Sequence, residues 1–166
     1  MTAKAAPLDL DDYLPYLVNR VGIIIAEQFA AEALEPHDLS IAMWRVMAVL
    51  ASKGHQRQID LAEYTSIEVS TLSRIVTRLV RMGAVSRTRS TRSSREVIVR
   101  LTAKGSTQAA RIIPLARQCE ATASAGLQPR ELAELKSCLR RVYANMRKRA
   151  AARARLGGRI QAEAAE

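Results

Sequence analysis

Most chemical classes are excluded by what this 166-residue chain lacks. It has two cysteines, Cys119 and Cys138, and no CxxC pair, which excludes a disulfide-rich scaffold. Its two histidines, His37 and His55, stand 18 residues apart with no HxxxH or CxxC partner, so zinc-ligand spacing is missing. Seven glycines are isolated except Gly157 and Gly158. No P-loop, GxGxxG or GxSxG motif can be written from them, and an enzyme, a metal site and a resident cofactor are not expected. The longest apolar runs, such as Val21–Ala26, fall far short of the roughly 18 residues that span a bilayer. The first residues hold no apolar h-region of a signal peptide. No membrane partner is expected, and a cytoplasmic location is the default expectation.

What the chain has is positive charge. Lys and Arg number 26 against 16 Asp and Glu, a formal net of +10. Such a surplus calls for a polyanionic partner, nucleic acid or an anionic membrane surface. The charge is uneven. Residues 1–40 carry a net of −5, residues 41–66 a net of +1, and residues 67–105 and 106–166 each a net of +7. The stretch 67–105 is the more informative, because it is short and its periodicity changes midway.

Apolar residues at Leu10, Leu14, Leu17, Val21, Ile24 and Ile25 repeat near every 3.6 residues and predict a helix over 9–34. Asp9, Asp11 and Asp12 suit its positive end, although Pro15 argues for a later start or a kink. Further helices are predicted over 38–52, 58–64 and 69–82, the last stopped by Gly83. Leu72, Ile75, Val76 and Leu79 form one face of the fourth helix, and Ser70, Thr71, Ser73, Arg74, Thr77, Arg78 and Arg81 the other. The pattern then alternates. Strands are predicted over 84–87 and 95–101, around a polar loop 88–94 that holds Arg89 and Arg92. A helix restarts near Thr102 and continues to about Leu127, with a kink expected at Pro114, and a final helix runs over 130–150.

Two short helices, a tight turn and a basic hairpin form, in that order, a winged helix-turn-helix. The fold class expected is mainly α with a small β-hairpin wing, flanked by N- and C-terminal dimerisation helices. A helix fits the DNA major groove with its first residues at base edges. Ser70, Thr71, Ser73, Arg74, Thr77 and Arg78 are the expected DNA contacts of the recognition helix. Arg87, Arg89, Arg92 and Arg95 are those of the wing, reaching the backbone or the minor groove. Taken singly, a basic helix face or a basic hairpin is as readily a solvated surface; their order is what favours DNA.

These blocks resemble the MarR-type transcriptional regulators. STLSRIVTRLVRMGAVSR at 70–87 is similar to that family's recognition-helix block, and VRLTAKG at 99–105 to its exit from the wing. LSIAMWRVMAVL at 39–50 and QIDLAE at 58–63 resemble its second and third helices. The resemblance extends over about residues 10–148. It implies a homodimer held by helices in 9–34 and 103–150, a DNA-binding domain at 35–102, and two recognition helices roughly 34 Å apart on a pseudo-palindromic double-stranded operator. Residues 1–8 are expected to be flexible, and 151–166 to be a basic frayed tail. The family's wing places an Asp two residues before an Arg; here Ser93 stands where that Asp would be, and Arg95 is kept.

The resemblance also implies a repressor released by a small effector, often an aromatic acid, or by cysteine oxidation. Tyr16, Arg20, His37, Trp44 and Arg45 are the candidate effector residues, with an Arg beside aromatics suited to a carboxylate or its thioester. The alternative is that Trp44 is core and Arg20 an ion-pair partner. Thiol sensing has less support, since Cys119 and Cys138 fall in the long helices, where a cysteine is usually a small buried hydrophobe. A non-specific architectural DNA-binding protein is the competing class.

Overall fold

A computed structural model gives the fold. It describes residues 7–89 and 96–163, with side chains described as far as residue 153. The chain divides into two units after Ala123.

In the first unit, helix α1 runs Leu14–Phe29 with Pro15 in its first turn. That is where proline's missing N–H costs nothing, so the helix begins here and not at residue 9. Asp9, Asp11 and Asp12 consequently precede the helix, and no acidic residue stands in its first turn. A π-helical turn at Ala30–Leu34 and a 3-10 turn at Glu35–His37 carry the chain to Asp38, which takes a left-handed conformation. Helix α2 spans Ile41–Lys53; the Ser40 hydroxyl oxygen caps it by accepting from the Met43 N–H at 3.3 Å. Gly54, at φ +76°, ends it.

Strand β1, Gln56–Arg57, is two residues long and has no periodicity to announce it. Helices α3 (Gln58–Thr65) and α4 (Val69–Arg81) follow, then β2 (Val85–Arg89) and β3 (Val97–Leu101). The three strands form an antiparallel sheet in the order β1-β3-β2, with Val85 opposite Leu101 and Gln56 opposite Val99. Thr88 and Arg89, expected in the loop, are strand residues, because Arg89 pairs with Val97.

Helix α5, Ala103–Ala123, continues through Pro114. Its start is welded to the sheet. The Thr102 N–H donates to the Ala84 carbonyl at 3.1 Å, and the Thr102 hydroxyl donates to the Gly83 carbonyl at 2.6 Å while accepting the Gly105 N–H at 3.0 Å. A side chain at Gly105 would put its Cβ 1.9 Å from the Ala84 carbonyl oxygen, so only glycine permits this approach.

The core of this unit holds Leu34, Val46, Met47, Leu61, Leu72, Val76, Leu79, Val85, Val99 and Ile112, all essentially inaccessible. It joins α2, α3, α4, the sheet and the middle of α5. Each such side chain contributes about 1.5–3 kcal/mol on burial.

The second unit holds helix α6, Pro129–Glu163, which extends past the end expected near residue 150. The Glu131 carboxylate accepts from the Gln128 N–H at 2.7 Å, closing its first turn.

Candidate nucleic-acid interface

Leu72, Val76 and Leu79 recur at three- and four-residue intervals and are buried, which turns the opposite side of α4 to solvent. On that side Ser73, Arg74, Thr77, Arg78 and Arg81 border an open groove of about 320 Å³. Arg74, Arg78 and Arg81 are exposed, and Ser73 and Thr77 half-buried. Arg74 forms no ion pair among the described residues.

The start of α4 is set by Glu68, which is not among the expected site residues. Its Oε2 accepts from the backbone N–H of Ser70 at 2.8 Å and of Thr71 at 3.1 Å, and from the Ser70 hydroxyl. These hydrogen bonds, Ser70's hydroxyl foremost, and then the nearby charge of Arg74 hold the Glu68 carboxyl below the usual range. An acidic residue directly ahead of the helical period was the signal.

Besides Ser70, three expected DNA contacts, Arg78, Thr77 and Arg87, have partners within the chain. Arg78 Nη2 donates to Asp38 Oδ1 at 2.9 Å, a solvent-exposed pair across 40 residues. The Thr77 hydroxyl donates to the Ser73 carbonyl at 2.9 Å and accepts from Arg87 Nη1 at 3.4 Å. Arg87 thereby ties the wing strand to the recognition helix. Arg87 and Arg89 are exposed two residues apart on β2, and so on one face of the strand. Arg92, Ser93 and Arg95 lie outside the described residues.

Arg57 was missed, because its partners are distant in sequence or lie on another element. Its Nε and Nη2 hold both Asp60 oxygens, at 2.7 and 2.8 Å, and its Nη1 reaches Glu96 Oε1 at 3.3 Å. The two carboxylates push its pKa upward, Asp60 more than Glu96. This clamp joins β1 and α3 to the wing base just ahead of β3.

The five candidate effector residues do not meet in one pocket of the described chain. The Arg20 guanidinium lies 5.5 Å from the centre of the Tyr16 ring, a cation–π contact along α1. Trp44 is half-buried and packs on Phe29 with ring centroids 5.9 Å apart, so it belongs to the edge of the core. Phe29 stands thirteen residues after Tyr16, about 20 Å along the helix axis. His37 borders a separate cleft of about 320 Å³ with Lys104, Thr107, Gln108 and Arg111. Arg45 is exposed on α2. Cys119 is half-buried against the core, whereas Cys138 is exposed, contrary to the buried position expected of it. Among the described residues no cluster of His, Cys, Asp or Glu could hold a metal, and no helix is long and apolar enough to cross a membrane.

The MarR family model matches residues 39–97, the stretch from the start of α2 to the start of β3. A MarR-family transcriptional regulator from Silicibacter pomeroyi superposes with a TM-score of 0.75 at 29% identity, over 86% of this chain and 96% of that one. Over residues 39–97 this chain is therefore similar to the MarR family. The PcaV transcriptional regulator from Streptomyces coelicolor, solved with its natural ligand, shares the fold at a TM-score of 0.76 and 22% identity, over 84% of this chain and 98% of that one. The uncharacterized HTH-type transcriptional regulator YwoH of Bacillus subtilis is 33% identical over 90 residues. That match spans 54% of this chain and 64% of YwoH, under two thirds of its length. The family and these relatives are transcriptional regulators, not enzymes.

Proposed function

We propose that this chain is a homodimeric, sequence-specific double-stranded-DNA-binding transcriptional regulator, a repressor released from a pseudo-palindromic operator by a small aromatic or anionic effector. The observation that carries the reading is the division of α4. Its apolar side is consumed by the core, and its outward side lines an arginine-rich groove whose Thr77 is reached by Arg87 of the wing. That is the form and polarity of a major-groove reader with a phosphate-contacting hairpin.

Dimerisation is supported by apolar surface that the chain leaves uncovered. Leu17, Val21 and Ile24 on α1, and Leu135, Leu139 and Met146 on α6, are all exposed. Effector binding is supported by the Arg20–Tyr16 pair, which suits an aromatic acid or its thioester, and by PcaV, which was solved with a ligand.

The deciding experiment compares affinity for selected and random duplexes at physiological salt. A regulator favours its site by at least about a thousandfold. A ratio near one, with a steep salt dependence, would make the chain an architectural DNA-binding protein instead. Adding a panel of aromatic acids to the specific complex tests release, and sedimentation tests the dimer.

A further inference from the structure

We infer that Glu68 sets base specificity by fixing Ser70 as a hydrogen-bond acceptor, so that the first turn of α4 selects a base presenting an amino group, N6 of adenine or N4 of cytosine. This inference rests on α4 being the DNA-reading helix.

A serine hydroxyl has one hydrogen to donate and two lone pairs to accept with. An ionised carboxylate only accepts. Ser70 Oγ and Glu68 Oε2 are hydrogen-bonded, and the hydrogen between them is the hydroxyl's. The position of the carboxylate is held independently by the two backbone N–H groups of Ser70 and Thr71, which converge on the same Oε2. Ser70 therefore turns only lone pairs outward, and it is exposed. Glu68 Oε1, the other carboxylate oxygen, adds a second acceptor at the same end of the helix.

The cradle also changes what that helix end can bind. Free N–H groups at a helix start ordinarily attract phosphate. Here an internal carboxylate occupies two of them and adds negative charge. The first turn therefore disfavours the DNA backbone and favours a base edge. One turn on, Arg74 offers donors alone, which suit O6 and N7 of guanine. Along α4 the outward polarity thus runs from acceptor at Ser70 to donor at Arg74. In the major groove A and C present an amino group where G and T present a keto oxygen. The expected half-site has A or C on the strand facing Ser70, beside a guanine facing Arg74.

The test is selection from a random duplex library by the full chain, comparing wild type with Ser70→Ala and Glu68→Ala. Wild type should prefer A or C over G or T at one position of each half-site by roughly fivefold to tenfold, the worth of one hydrogen bond. Ser70→Ala, which keeps the Glu68 cap on the backbone, should abolish that preference and leave the guanine preference in place. Glu68→Ala should flatten it to within about twofold, because with no side-chain acceptor at position 68 the Ser70 hydroxyl hydrogen is free to turn outward. A purely structural cap would lower affinity for every sequence alike and leave base preferences unmoved. Unchanged preferences in both variants, with wild type still selecting a site, overturn this inference alone. A wild-type protein that enriches no sequence overturns the DNA-reading assignment as well.

Discussion

Helices α1 and α4 are both amphipathic by sequence, yet they dispose of their apolar sides in opposite ways. In α4, Leu72, Val76 and Leu79 are inaccessible and the polar side faces out. In α1 only Phe29 is buried, while Val21 is 54% and Ile24 51% exposed. A periodic apolar stripe therefore says that a helix has something to cover, not what covers it. For α4 the cover is its own domain, and the freed side reads outward. For α1 the described residues leave Leu17, Val21 and Ile24 exposed, which is the physical ground for proposing a second copy.

The comparison breaks most readily in the core. Leu79→Ala should destabilise the folded chain by about 2–5 kcal/mol, read as a shift in denaturant midpoint. The same truncation on α1, Ile24→Ala, should cost the isolated chain far less. Equal losses at high dilution would mean that α1 is covered within one chain. Next in size, Ile24→Asp should shift the dimer to monomer in sedimentation, with a loss on the order of 1.5–3 kcal/mol per side chain uncovered. Unchanged mass would end the interface assignment. Arg74→Ala, on the outward side of α4, should leave stability alone and lower discrimination for the specific site by about 1–3 kcal/mol in a binding titration.

The smallest effect is on pH dependence. Glu68 is held below its ordinary value of 4.5, so its capping contribution is complete above that pH. It is lost as the pH falls through the lowered value in the folded chain, because the unfolded state takes up the proton first. Wild type should lose stability below pH 4.5 more steeply than Glu68→Gln, as followed by thermal melts. Parallel curves would separate Glu68 from the stability of α4.

Much of this was legible residue by residue. The start of α4 at Val69 and its end before Gly83 follow from capping, period and a glycine at φ +70°, all local properties. Pro15 announced the late start of α1. Arg74, Arg78, Arg87 and Arg89 were legible as one basic constellation, because charge and spacing are sequence properties. Trp44 was not: an aromatic beside an arginine reads alike whether it packs on Phe29 or lines a pocket.

By itself the sequence determined the main helices and the two hairpin strands, their order and the side of α4 that must face water, since backbone hydrogen bonds and side-chain period act over three or four residues. The tertiary structure alone decided which distant groups meet. Arg57 reaches Glu96 across 39 residues, Arg78 reaches Asp38 across 40, and Gly105 is bare because the Ala84 carbonyl passes where a side chain would stand. Those contacts depend on where the chain returns, and burial of one shared core sets that return.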